Sequence, residues 1–133
     1  MTEISATTLW DILKHAGRWL ANLKRAGTGR KAESVKALRK MISAARETAV
    51  YVRKLNDTGK SNYRTEQKLS SLWTDLGFEL KDLGLTTLAK RCDISGKHWS
   101  DPGHYDADFL EKADISLERM ERLAREILHE IER

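Results

Sequence analysis

Cysteine, proline and long apolar runs are almost missing from this chain of 133 residues, which holds 1 Cys and 1 Pro. A single thiol, Cys92, cannot close an internal disulfide, and no cysteine cluster has metal-binding spacing, so a disulfide scaffold and a classical zinc finger are excluded. One lone cysteine fits a reducing compartment. No apolar stretch approaches the roughly 20 residues of a membrane span, and the N-terminus lacks the basic-then-apolar order of a signal peptide. The expectation is a soluble, cytoplasmic protein that does not engage membranes. No glycine-rich phosphate loop, serine elbow or paired-carboxylate motif occurs, so no cofactor is expected.

What the chain does contain is a helical period nearly everywhere, with apolar residues recurring at steps of three and four. A chain of this length can bury roughly two thirds of its unfolded surface, which fits one domain spanning residues 1–133. The first expected helix runs from Thr8 to Ala26, with Leu9, Leu13, Ala16, Leu20 and Leu23 as its seam and Gly27 as its stop. The second, from Arg30 to Leu55, carries Val35, Leu38, Ile42, Ala45, Ala49 and Val52 on one stripe. The polar stretch from Asn56 to Asn62 follows as a loop, because each of its residues favours turns. A third helix from Thr65 presents Leu69, Leu72, Trp73, Leu76, Leu80 and Leu83, and Gly84 ends it. Leu85, Leu88 and Ala89 then suggest a short helix to Arg91, capped by Thr86. Residues 93–105 show no helical period and contain the proline, so they read as the long connection. The last helix, between Asp106 and Glu132, alternates Leu110, Ala113, Leu117, Met120, Ala124, Ile127 and Ile131, with a restart signalled at Ser116. The fold class is therefore all-α, an antiparallel four-to-five-helix bundle.

Charge divides by position. Residues 1–60 hold 13 basic and 5 acidic residues, net +8, whereas residues 61–133 hold 11 basic and 15 acidic, net −4. Along the second helix the positions after each seam residue are Lys36, Arg39, Ser43, Arg46, Val50 and Arg53, a basic flank. The same offset on the last helix gives Glu111, Asp114, Glu118 and Glu121, an acidic one. Two outcomes are open. The flanks can meet and pair, each exposed pair contributing about 0–1 kcal/mol. Alternatively, simple up-and-down topology places those two helices on a diagonal and sets the second beside the first, itself basic through Lys14, Arg18, Lys24 and Arg25. A basic face would then remain for an acidic protein surface or for nucleic acid.

The aromatic residues do not form a stacking platform. Trp10 and Trp19 are spaced nine apart and Trp73 sits in the seam of the third helix, so all three are assigned to the core, while Tyr51 and Tyr63 flank the loop and are expected half-exposed. Helix-turn-helix, ribonucleoprotein and basic-arm signatures are missing. The third helix is apolar over more than one stripe through Trp73, Phe78 and Leu80, which would suit a homodimer.

One segment, Arg91 to Asp106, is dense in chemistry. His98, Asp101 and His104 are spaced by three residues, with Asp106 or Asp108 as a fourth candidate ligand, but Pro102 and Gly103 interrupt them and no metal is assigned. Cys92 continues the apolar face of Leu88 and Ala89, which favours an inert buried thiol over a nucleophile. As a structural element, Trp99 and Tyr105 would plug the end of the bundle, His98 and His104 would bond backbone carbonyls, and Asp101-Pro102-Gly103 would form a turn. Arg91, six intervening residues and His98 also resemble the arginine–histidine motif of HEPN-like ribonucleases; Arg122 and His129 show the same spacing. That resemblance implies a small helical bundle, usually dimeric, that cuts RNA without metal, Arg91 and His98 positioning the phosphate and assisting attack by the 2′-hydroxyl. Cys92 departs from the polar residue that the family usually places after the arginine.

The sequence is read as a small accessory or regulatory binding protein, without catalytic residues of its own. Lys14, Arg18, Lys36, Arg39, Arg46 and Arg53 are assigned to an acidic protein partner or nucleic acid. The alternative is the ribonuclease.

Overall fold

The structure, a computed structural model, describes residues 28–104, 106, 108 and 116–132. Four α-helices occur among them and no strand: α1 (Thr28–Thr58), α2 (Tyr63–Asp82), α3 (Thr86–Ser100) and α4 (Leu117–Glu132), with a 3-10 turn at Pro102–His104. The expected helix from Thr8 to Ala26, with Lys14 and Arg18, lies outside the described residues, as do Tyr105, Leu110, Glu111, Ala113 and Asp114. None of the described helices is long and apolar enough to cross a membrane.

The 31-residue α1, about 46 Å long, is the element the others share. Both α4 and α2 pack on it, and α3 packs on α2. Ion pairs fix the order of residues across these contacts. Arg39 reaches Glu132 and Arg46 reaches Glu121 on α4, while Lys40 reaches Glu79 and Glu47 meets Lys68 on α2. Partner numbers fall as α1 is climbed.

The buried face of α1 is turned away from the expected stripe. Ala37, Leu38, Met41, Ala44, Ala45 and Tyr51 are buried with Ser34 and Thr48, whereas Val35, Ile42 and Val52 are half-buried and Ala49 is exposed. The two hydroxyl residues obscured this face in the sequence. Each satisfies itself by donating to the carbonyl four residues earlier, Ser34 to Arg30 at 2.9 Å and Thr48 to Ala44 at 2.7 Å, so neither carries an unmet polar group into the core.

Caps set the other boundaries. Asn62 holds an extended conformation and its side chain accepts from the N–H of Thr65 at 3.0 Å, so α2 starts two residues before the expected Thr65. Gly84, at φ 86°, ends that helix in a left-handed turn, with the Leu85 N–H donating to the Leu80 carbonyl at 2.9 Å. Arg30 adds a charged donor to the neighbouring Leu83 carbonyl at 3.3 Å. Thr86 is the first helical residue of α3, not its cap, since Leu85 occupies that place without a side-chain bond.

The largest departure is the connection. Asp93 to Ser100 are helical, so α3 runs nine residues past the expected end at Arg91. Its buried residues are Leu88, Ala89, Arg91, Cys92, Ser95, Gly96 and Trp99, and Ala89, Cys92, Ser95 and Gly96 among them are small. Those small residues let α3 approach α2 closely. A Cβ at Gly96 would collide with Thr74 Oγ1 and sit 3.2 Å from the Ser70 carbonyl, and one at Gly77 would sit 3.2 Å from the Ala89 carbonyl. Ser70 closes the contact by donating to the Gly96 carbonyl at 2.8 Å.

Candidate functional site

Two regions hold the residues singled out above, and the helices place them apart. The first is the outward face of α1. Lys36, Arg39, Arg46 and Arg53 are all exposed and follow one another at steps of three and seven residues, so they share one flank over about 26 Å of helix. Arg39 and Arg46 are engaged: Arg39 lies 3.5 Å from Glu132 and Arg46 Nε lies 3.1 Å from Glu121. The diagonal placement argued from up-and-down topology is thereby corrected, because α4 packs directly against α1. Its buried residues Met120, Leu123, Ala124, Ile127 and Ile131 form a single stripe, and seating that stripe on α1 brings the acidic flank of α4 to the basic flank of α1.

These pairs are open to solvent. The Arg39 and Glu132 side chains are 65% and 47% exposed, and Glu118 pairs with Arg122 on its own helix. Glu121 meets two arginines, Arg46 at 3.1 Å and Arg125 at 3.2 Å. The hydrogen bond from Arg46, reinforced by Arg125, keeps its carboxyl below the usual glutamate range. Lys36 and Arg53 have no ion pair among the described residues. Near the start of α1 the outer face is also hollowed, with Lys31, Val35, Lys36, Arg39 and Lys40 bordering a depression of about 650 Å³.

The second region is the end of the bundle where α1 turns into α2. Tyr51 is buried, not half-exposed, and Tyr63 is 88% exposed. The Tyr51 hydroxyl donates to Glu66 Oε2 at 2.7 Å and accepts from the Asn62 N–H at 2.9 Å. Burial, with Glu66 beside it, raises the Tyr51 pKa, so the phenol keeps the proton that it donates. Trp99 packs edge-on against Tyr51 at 5.5 Å and against His98 at 4.7 Å, and plugs this end of the core. Nothing local in the sequence marks the Tyr51–Glu66 pair, whose members stand 15 residues apart across a turn.

Arg91 and His98 both lie on α3, on the same side and two turns apart, about 10 Å along the axis. Arg91 is 6% exposed. His98 is half-buried, and burial lowers its pKa against an opposing pull from Glu66, which favours the neutral imidazole near pH 7. Cys92 is fully buried, and burial pushes its thiol up to about 12 despite the adjacent Arg91, so the folded chain holds it as the protonated thiol. His98 is on α3, Asp101 follows that helix and His104 ends the 3-10 turn; among the described residues no group of three His, Cys, Asp or Glu side chains is placed to hold a metal ion. Arg122 and His129, the second pair with the same spacing, are exposed on α4.

Comparison of the chain with protein-family models, with curated proteins and with solved structures gives no match.

Proposed function

We propose that this chain is a small, non-enzymatic accessory or regulatory protein, an antiparallel helical bundle whose basic α1 face engages an acidic surface on another protein. The observation that carries the reading is the exposed row Lys36, Arg39, Arg46 and Arg53, in which Lys36 and Arg53 have no ion pair among the described residues. Lys14 and Arg18, outside the described residues, are assigned to the same partner from the sequence alone. Exposed pairs contribute little, so a partner carboxylate can replace Glu132 or Glu121 at small cost, and the uncommitted cations steer the encounter. Nucleic acid is the weaker candidate. A phosphate chain laid along this row would also meet Glu121 and Glu132, whereas a folded protein can set its carboxylates between them.

The test is a pull-down from the native cell with and without nuclease, using the intact chain and a Lys36→Glu/Arg53→Glu variant. A protein captured despite nuclease and lost from the variant, whose helical circular dichroism is unchanged, supports the reading. Capture abolished by nuclease would transfer the face to nucleic acid. RNA cleavage by the pure protein without added metal, stopped by Arg91→Ala or His98→Ala, would replace the binding function by the ribonuclease; the burial of Arg91 weighs against that result.

A further inference from the structure

A groove between the outer edges of α2 and α3 belongs to neither region above. Gly77, Phe78, Lys81, Ala89, Lys90 and Asp93 border it together with the hydroxyl residues Thr74 and Thr86, and its volume is about 340 Å³. Its floor is the close approach of Gly77 to Ala89, where no side chain bulk intervenes. Its wall is Phe78, 62% exposed, an aromatic ring that the core does not use. Lys81 and Lys90 rise from facing helices and have no ion pair among the described residues. The carboxylate at the groove, Asp93, is drawn to Lys97 on its own helix at 3.3 Å. The groove thus joins a backbone floor and an aromatic wall to two uncommitted positive charges.

We propose that this groove docks an acidic amphipathic peptide segment of a partner protein, one large apolar side chain lying against Phe78 and flanking carboxylates meeting Lys81 and Lys90. An exposed aromatic beside a notch is the arrangement that anchors a partner side chain at the centre of an interface. The charge decides the partner's sign, because among the residues bordering the groove two ammonium groups stand against the single carboxylate of Asp93. The inference does not rest on the α1 reading: it uses other helices, and its variants leave Lys36 and Arg53 untouched.

The experiment measures fluorescence anisotropy of a short fluorescein-labelled peptide of glutamate and leucine with one central tryptophan, titrated with the full chain. Saturable binding is expected, weakened about tenfold or more by Phe78→Ala, as loss of a central anchor costs, and abolished by Lys81→Glu/Lys90→Glu. All three positions are exposed, so circular dichroism should match the intact chain. Lys36→Glu/Arg53→Glu should bind as the intact chain does, even if the α1 reading fails. Four results overturn the proposal: no saturable binding by the intact chain, equal binding of a lysine-for-glutamate peptide, competition by single-stranded RNA that Phe78→Ala leaves unchanged, or self-association in sedimentation that Phe78→Ala removes. The last would make the occupant a second copy of this chain.

Discussion

The indole N–H of Trp73 donates to the Thr48 hydroxyl at 2.9 Å, joining α2 to α1 where both side chains are completely buried. Thr48 in turn donates to the Ala44 carbonyl at 2.7 Å. One small hydroxyl therefore meets the need of a fully buried indole.

Thr48→Val nearly preserves volume and leaves the Trp73 N–H without its acceptor. It should destabilise the fold by about 1–3 kcal/mol, read from urea denaturation followed by tryptophan fluorescence. Thr48→Ser keeps the acceptor and should lose less. Equal stability of the valine and threonine proteins would show that the bond contributes nothing.

Arg46 and Glu121 are coupled at the α1–α4 seam. A double-mutant cycle with Arg46→Ala and Glu121→Ala should return a coupling under about 1 kcal/mol that shrinks in high salt. Because the folded carboxyl titrates below its unfolded value, this stabilisation is present above the ordinary glutamate pKa, near 4.3. It is lost as pH falls through the lower, folded pKa. A coupling that persists well below that range would mean that the carboxylate is not its source.

Gly96→Ala improves helix propensity by up to about 1 kcal/mol, yet it should destabilise the chain by about 1–3 kcal/mol through overpacking. The added methyl meets Thr74 Oγ1 and the Ser70 carbonyl. Thr74→Ala in the same chain should recover part of the loss. A Gly96→Ala protein with a raised Tm would show that α3 has room to withdraw.

Cys92 should resist an aromatic disulfide reagent in the native chain and react fully in denaturant, because the thiol is buried and its pKa stands near 12. Fast labelling under native conditions would place it at an open surface instead.

Particular residues show where sequence reasoning reached and where it stopped. The α2 and α4 faces were legible, since Leu69, Trp73, Leu76 and Leu80, and Met120, Ala124, Ile127 and Ile131, are large apolar side chains at helical spacing. The second half of α3 was not. Its face is carried by Cys92, Ser95 and Gly96, which have too little apolar surface to register as a stripe but whose smallness is what permits contact with α2. The register of α1 was missed for a related reason, as Ser34 and Thr48 look polar until their back-bonds to the helix are seen. Lys36 and Arg53 were legible as members of a basic flank; that they stand outside the ion pairs of Arg39 and Arg46 was not.

By itself the sequence determined that this chain is helical and electrically divided, because local propensity, the scarcity of proline and the signs of the side chains are properties of nearest neighbours along the chain. Only the tertiary structure decided which charges meet. The apolar stripe of α4 finds its place on α1, and the positions of Glu121 and Glu132 relative to Arg46 and Arg39 follow from that burial. Burial of apolar surface outweighs any exposed ion pair, so packing sets the geometry and the charges accept the partners that packing provides.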